Sequence, residues 1–376
     1  MAAEVKWFRA GQEVFPAMLA AIGAARESVR LETYIFADGD IGRQFLAALL
    51  AARERGVRVR LLVDALGCWL LPEDYFAPLV AAGGEVRRFN PLRLWRFGVR
   101  DHRKLLVCDN RTIFIGGFNL ADEYQGDGVT RGWCDFGGCV ESPAIAAELA
   151  ASFDELFALA DFHRKPLLRL RAFKRKRKAD LPPGEKLLLS RPGRGAGAIQ
   201  RALHGNLEGA REVQIITGYF LPPWRLRRDL VRAARRGARV RLILAGRSDV
   251  LVAQLAGRDL YRRLLRAGVE IYEYQPQILH AKLMVIDGAA YLGSANLDVR
   301  SLKLNFELML RFTDEPTAAQ AREIFEATLK HCRRIEWQEW RKSQTFWERL
   351  KSSWAYFLLA RVDPFVALRQ FKAVKG

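Results

Sequence analysis

One stretch constrains this chain more than any other. Asp101-His102-Arg103-Lys104-Leu105-Leu106-Val107-Cys108-Asp109 carries the pattern H-x-K-x4-D, and His280-Ala281-Lys282-Leu283-Met284-Val285-Ile286-Asp287 carries it again 178 residues later. Each copy is followed by a glycine-rich turn ending in asparagine, Gly116-Gly117-Phe118-Asn119 and Gly293-Ser294-Ala295-Asn296. Whatever the fold, it must place two histidines, two lysines and two asparagines in equivalent positions.

The repeat extends beyond the motif. Apolar residues at helical spacing predict a helix over Gln12–Ala25, and a strand follows over Val29–Phe36. A helix over Ile41–Arg55 stops at Gly56, a strand runs from Val57 to Asp64, a helix from Glu73 to Ala82, and a strand from Glu85 to Phe89 before Asn90-Pro91. After the midpoint the order returns: strand Val213–Tyr219, helix Leu226–Arg236 with Gly237 as its stop, strand Arg239–Leu244, a strand near Val269–Ile271, then Gln275-Pro276 and His280. Strands alternating with helices predict a mixed α/β sheet in each half. A period this long indicates duplicated domains rather than a solenoid, whose units are far shorter.

Strand alternation would put His102 and Lys104 on one face, and Leu105 and Val107 on the other, with the same division for His280 and Lys282 against Leu283 and Val285. The apolar face would enter the core and the polar face line a cleft. Burying histidine and lysine together without an anion is costly. Lysine charges and the amides of Asn119 and Asn296 suit the oxygens of a phosphate. The asparagines lie 17 and 16 residues after their histidines, so the first copy has one extra residue in its turn. Two histidines permit covalent catalysis in two steps, one attacking phosphorus and the other moving the proton of the departing and arriving alcohols. No metal and no cofactor is required, and the sequence offers no carboxylate cluster to hold a metal.

With 376 residues, half of them hydrophobic, the chain can build two ordinary domains. Its net charge of +19 exceeds what solubility needs and calls for an anionic partner, nucleic acid or an acidic membrane surface. The five cysteines show no C-x-x-C spacing, which predicts reduced, mostly buried thiols in a cytosolic compartment and no zinc site. The first residues lack the layout of a signal peptide, and the longest charge-free runs have twelve residues, too few to span a bilayer. Any membrane contact is therefore expected to be peripheral.

Between the halves, nine of the fifteen residues from Arg164 to Lys178 are Lys or Arg. This is either a solvated linker or a patch for anionic headgroups. The Gly193–Gly197 segment fits no phosphate-loop pattern and reads as linker. From Ile335 onward the chain changes in kind: four of nine tryptophans fall between Trp337 and Trp354. Phe346, Trp347, Leu350, Trp354, Phe357 and Leu358 recur at helical spacing among Arg349, Lys351 and Arg361. That pattern suits a membrane interface; the alternative is a terminal helix packed on the core. The resulting division is a first domain over 1–160, a basic linker over 161–186, a second domain over 187–334 and an aromatic, basic tail over 335–376.

The duplicated motif with its turns resembles the phospholipase D superfamily, over nearly all of Val29–Phe312. Phe89-Asn90-Pro91-Leu92, Asn119 to Tyr124, Gly246-Arg247-Ser248-Asp249-Val250, Ile271 to Pro276, and Ala295-Asn296-Leu297-Asp298 with Asn305-Phe306-Glu307 resemble bacterial cardiolipin synthases without transmembrane helices. The resemblance implies an α/β fold of two tandem phospholipase D-like domains, each a mixed sheet flanked by helices, related by a pseudo-twofold axis with the active site between them. It implies His102 as nucleophile and His280 as acid/base, with carboxylates holding their other ring nitrogens; by position these are Asp135 and Glu307. Cys134 stands where this family commonly has arginine before the aspartate. Asp109 and Asp287 join the candidate catalytic set as motif members, although a place at a strand end, five residues past each lysine, favours a structural role.

The function so implied is phosphatidyl transfer from phosphatidylglycerol, or another phospholipid, to phosphatidylglycerol, at the cytoplasmic face of the bacterial cell membrane. The partner is an anionic phospholipid membrane, and no nucleic acid is expected. Phe89–Val99, with Trp95 and Phe97 among arginines, is the candidate mouth. A hydrolytic phospholipase D would share every catalytic residue. A nuclease is favoured by charge alone, and small nucleases of the superfamily typically carry one motif per chain. A membrane-binding protein without activity would not need both catalytic sets.

Overall fold

A computed structural model describes residues 4–90, 98–160, 181, 184–192 and 197–362. The basic run 164–178, most of the Gly193–Gly197 segment, Trp95 and Phe97 of the expected mouth and the end of the tail lie outside the described residues.

Two sheets carry the fold. The first comprises β1 (Val5–Phe8), β2 (Ser28–Thr33), β3 (Arg58–Asp64), β4 (Glu85–Phe89), β5 (Leu105–Cys108), β6 (Thr112–Gly116) and β7 (Gly137–Glu141), in the order β1-β7-β6-β5-β2-β3-β4. The second comprises β8 (Glu185–Ser190), β9 (Glu212–Thr217), β11 (Arg239–Ala245), β12 (Glu270–Tyr274), β13 (Lys282–Ile286), β14 (Ala289–Gly293), β16 (Glu307–Phe312) and β17 (Cys332–Arg334), with β10 (Phe220–Leu221) and β15 (Leu297–Asp298) as a separate parallel pair. Read from β8, the second order is β8-β16-β14-β13-β9-β11-β12-β17. It is the first order with one edge strand added. In both halves three parallel strands join an antiparallel set at β2–β5 and β9–β13.

Apolar residues on both faces explain why these strands are buried on both sides. Leu106 and Cys108 of β5 face the cluster under the helices Gly11–Ala24 and Asp40–Glu54. Leu105 and Val107 face a second cluster that includes Leu292, Phe306, Leu308 and Leu310 from the other half. The helix Pro143–Leu159 contributes Ile145, Leu149, Phe153 and Phe157 to that shared core. Cys134 and Phe136 in turn enter a cluster built mainly by the second half. The halves are joined by apolar packing, so the space between them has a fixed shape. Gly56 and Gly237 end equivalent helices at φ of +85° and +96°, a conformation that favours glycine.

Three local expectations are corrected. The strand expected to run through His102 and Lys104 begins only at Leu105, and in the second half at Lys282 rather than His280. The histidine segments leave their own sheets to pair across the molecule, as Asp101 with Phe306 and Leu279 with Cys134. The strand expected to reach Phe36 stops at Thr33, whose hydroxyl turns back to donate to the Ile35 carbonyl. The helix expected over Glu73–Ala82 shortens to Ala77–Ala81, with Pro78 in its first turn, where proline's missing N–H costs nothing. The extra residue before Asn119 lies in the hairpin turn: three residues separate Cys108 from its partner Thr112, and two separate Ile286 from Ala289.

Candidate active site

The backbone first fixes where the histidines stand. The His102 N–H donates to the Phe306 carbonyl at 3.0 Å, and the Phe306 N–H to the Arg100 carbonyl at 2.9 Å. In the other half, the N–H groups of His280 and Ala281 both donate to the Cys134 carbonyl, at 2.8 and 3.1 Å. Each histidine is thus anchored to the residue just before the opposite half's carboxylate.

The side chains repeat the exchange. His102 Nδ1 lies 3.0 Å from Glu307 Oε1, and His280 Nδ1 lies 2.6 Å from Asp135 Oδ2. The sequence singled out both carboxylates; it did not reveal that each serves the histidine of the other half. A carboxylate on Nδ1 fixes the imidazole with its proton there and leaves Nε2 free as a base or nucleophile. Cys134, in the place of the family's common arginine, works through its backbone and does not displace Asp135.

The turns explain how two unlike carboxylates fill equivalent roles. Gly117 backs onto Asp135, and a Cβ there would collide with its carboxylate oxygens. Ser294 occupies the matching place in the second turn, and its hydroxyl donates to Glu307 Oε2 at 2.5 Å. The shorter acid therefore needs the bare backbone, and the other copy adds a hydroxyl donor. The Phe136 N–H also donates to Asp135 Oδ1.

Both lysines are buried and bend back onto their own histidines. Lys104 Nζ donates to the His102 carbonyl at 2.8 Å, and Lys282 Nζ to the His280 carbonyl, with His280 Nδ1 also 2.8 Å away. The shorter bond to Asp135 claims the Nδ1 proton. Burial, with Lys282 nearby, pushes Lys104 down to about 7, and burial lowers Lys282 as well. Burial and the two lysines hold His102 well below its usual value and His280 near 4, so both rings are neutral near pH 7. The two acids differ. Against the push of burial, Lys282 and His280 keep Asp135 below the usual carboxylate range, whereas burial pushes Glu307 up to about 8. Lysines whose charge burial disfavours, beside neutral histidines, make a site that an arriving phosphate would charge.

His102 and His280 line one cavity of about 570 Å³. Asn119 and Asn296 reach it too, with different commitments. Asn119 accepts from the Ile35 N–H at 3.1 Å and donates to the Tyr124 hydroxyl at 2.6 Å, so it braces the wall and keeps one N–H to spare. Among the described residues the Asn296 amide oxygen is buried without a partner. Asp109 and Asp287, included with the catalytic candidates, do not belong to the cavity. Each sits at the far end of its strand with positive φ and accepts backbone N–H groups: Asp109 from Arg26, Glu27 and Ser28, Asp287 from Arg211 and Glu212. A carboxylate at a strand end, one strand's length from its histidine, ties the turn to the preceding strand.

The sequence reading passed over several wall residues. Tyr34 lies against His102 with ring centroids 5.0 Å apart, and Tyr124 and Trp133 flank His280 at 5.3 and 5.7 Å. Arg100 pairs with Asp64 in the interior at 3.2 Å, and Tyr219 donates to Asp249 at the rim. The signal for Tyr34 and Tyr219 was the repeated threonine one and two residues before them: Thr33 and Thr217 close equivalent turns onto the carbonyls of Ile35 and Tyr219.

A mixed α/β pair of domains sharing one cavity, with histidines, lysines and crossed carboxylates supplied by both, defines an enzyme of the phospholipase D type. The family model for the cardiolipin synthase, phospholipase D-like domain matches residues 18–157 and 206–329. Cardiolipin synthase B of Escherichia coli K12 is 33% identical over 370 residues, covering 95% of this chain and 87% of that protein. A cardiolipin synthase of Geobacillus kaustophilus is 32% identical over 320 residues, covering 81% of this chain and 62% of its own length. Among solved structures, phosphatidylserine synthase of Haemophilus influenzae superposes with a TM-score of 0.76 at 14% identity, covering 97% of this chain and 94% of that one. The chain belongs to the cardiolipin synthase family and is a phosphatidyltransferase.

Proposed function

We propose that the protein makes cardiolipin by transferring the phosphatidyl group of one phosphatidylglycerol to another through His102. The observation that carries this reading is the crossed pairing of His102 with Glu307 and His280 with Asp135 around one cavity. The order of attack follows the family. His102 Nε2 attacks phosphorus, the bond to the headgroup oxygen breaks, and His280 gives that oxygen a proton. A hydroxyl of the second phosphatidylglycerol then loses its proton to His280 and attacks phosphorus, and the P–N bond breaks to restore neutral His102. A bound phosphodiester adds negative charge beside these groups. It restores the charged state of Lys104 and Lys282 and raises His280 towards the protonated form the first step needs. The spare N–H of Asn119 and the amide of Asn296 would hold the non-bridging oxygens.

The surface favours work at an anionic membrane. In the tail, the helix Phe346–Phe357 buries Ser352 and Ala355 against the second half, and its Ser353 hydroxyl donates to Asp259. Its aromatic stripe points outward instead: Phe346, Trp347, Trp354 and Phe357 are all more than half exposed. The packed and the interfacial readings of the tail therefore describe opposite faces of one helix. More apolar residues stand beside cavity-lining ones. Trp69 and Leu70 follow Leu66, Leu251 and Val252 lie between Val250 and Ala253, and Leu358 precedes Leu359. An apolar rim around an opening, on a protein of charge +19, suits docking on acidic headgroups. Among the described residues no helix is long and apolar enough to cross a membrane. We place the enzyme peripherally on the cytoplasmic face.

The test is to incubate the purified protein with phosphatidylglycerol vesicles and identify the products. Cardiolipin with glycerol is expected. Phosphatidic acid alone would make it a hydrolytic phospholipase D, and DNA cleavage without lipid turnover would overturn the lipid reading.

A further inference from the structure

Asp249 is anomalous in this cavity. The walls carry His102, His280, Arg100 and Arg300, with Lys104 and Lys282 beside the histidines, all suited to an anion. Asp249 lines the same space, is exposed, and makes no ion pair among the described residues. It is not a stray surface acid. The Ser248 hydroxyl accepts from the Val250 N–H at 3.1 Å, and Gln254 Nε2 donates to the carbonyls of Ala245 and Gly246, which fixes the loop. The Tyr219 hydroxyl lies 2.7 Å from both Asp249 oxygens.

The equivalent turn of the first half is built differently. There Asp64 is fully buried, paired with Arg100, and accepts the N–H groups of Leu66, Gly67 and Asp101. Among the described residues the two acids lining the cavity, Asp249 and Asp298, both come from the second half; Asp298 is spent on the Ser301 N–H as a helix cap, which leaves Asp249 as the exposed one. The asymmetry also has a direction, because the Tyr219 ring stands edge-on to His280, with centroids 6.2 Å apart and an interplanar angle of 88°.

We propose that Asp249 and Tyr219 form a subsite that accepts hydrogen bonds from the hydroxyls of a glycerol headgroup and so selects the alcohol exchanged beside His280. This rests on the function proposed above. A carboxylate repels a phosphodiester, so this wall must face an uncharged part of the substrate. Tyr219 spends its one proton on Asp249, leaving carboxylate and phenol lone pairs as acceptors. Acyl chains and ester carbonyls have nothing to donate to them, whereas a vicinal diol has two hydroxyls. In an in-line exchange on His102 the departing and the attacking oxygen both sit on the side opposite the P–N bond. One subsite therefore holds the leaving glycerol and then the arriving headgroup.

The experiment compares wild type, D249N and Y219F on phosphatidylglycerol vesicles, with glycerol or ethanolamine added as soluble alcohols. Thermal unfolding is matched to wild type, and inorganic phosphate binding is measured in parallel. D249N is expected to raise the KM for glycerol-headed acceptors roughly tenfold, the effect of losing one charge-assisted hydrogen bond. It should shift products from cardiolipin towards phosphatidic acid, because water needs no subsite, while phosphate binds no more weakly than to wild type. Y219F should move the ratio the same way by less. An unchanged acceptor KM and product ratio in D249N, from a wild type that makes cardiolipin, would overturn the subsite alone. Wild-type preference for ethanolamine over glycerol would overturn the polyol assignment in favour of an ammonium. A wild type that turns over no phosphatidylglycerol would overturn the underlying function and the subsite together.

Discussion

Replacing Asp135 by asparagine tests the crossed pairing, because Asp135 belongs to the first half but serves the histidine of the second. The carboxylate is buried, held below its usual range, and accepts from His280 Nδ1 at 2.6 Å. Losing a hydrogen bond to a charged group costs about 1.5–3 kcal/mol, or roughly ten- to a hundredfold in rate. Losing the tautomer that the carboxylate fixes brings the total for such residues to about 10⁴. We therefore expect D135N to reduce kcat for cardiolipin formation by about 10³–10⁴. The size of the loss matters less than its kind. A phosphatidyl ester of p-nitrophenol has a leaving group that departs without a proton, so its first step needs the nucleophile and not the acid. H280A and D135N should both release a burst of about one p-nitrophenol per chain and then stall, because the second step still needs a base. H102A and E307A should give no burst. Stopped-flow absorbance with this substrate reads all four variants. A burst in E307A together with none in D135N would mean that each carboxylate serves the histidine of its own half, and the geometry argued here would be wrong.

Three further outcomes follow from the same site. Lys104, held near 7, must be charged to bind a phosphodiester, so KM for phosphatidylglycerol should be flat below pH 7 and rise above it; K104R, which keeps its charge, should lose that rise in steady-state assays across pH 6–9. Glu307 is raised from 4.5 to about 8, so between those values the folded protein holds a proton that the unfolded chain has lost. That contribution to stability is complete below 4.5 and is lost as pH rises through 8, so the Tm of E307Q should gain on wild type from pH 5 to 9; a constant difference by calorimetry would refute the shift. G117A should cost more activity than S294A, because a Cβ at Gly117 collides with the Asp135 carboxylate while S294A removes only one donor to Glu307; equal losses in the vesicle assay would contradict the assignment of the two turns.

Much of the architecture is legible in the chain because its local signals are strong and repeated. The apolar runs at Arg58–Asp64 and Arg239–Ala245 formed strands close to the expected bounds, and Gly56 and Gly237 stop equivalent helices. The motif likewise pointed to His102 and His280 in one shared cavity. What local pattern misses is whatever the other half determines. Strand alternation put His102 and His280 inside strands, but contacts with Phe306 and Cys134 pull both segments out of their sheets. Asp135 and Glu307 were found by position, yet the exchange of partners exists only in three dimensions. Asp109 and Asp287 share a motif with the histidines but stand a strand's length away. Asp249 entered only as a member of the Gly246–Val250 segment; its place in the cavity beside Tyr219 exists only in three dimensions.

The central claim is one site, shared by both halves, with a single covalent intermediate on His102. Alkaline quenching of a single turnover with short-chain, ether-linked phosphatidylglycerol, followed by peptide mass spectrometry, measures it directly, since phosphohistidine survives alkali. One phosphatidyl group per chain, on the peptide containing His102 and absent from H102A, is the predicted result. Label on both His102 and His280, or cardiolipin formed with no labelled histidine, would contradict it.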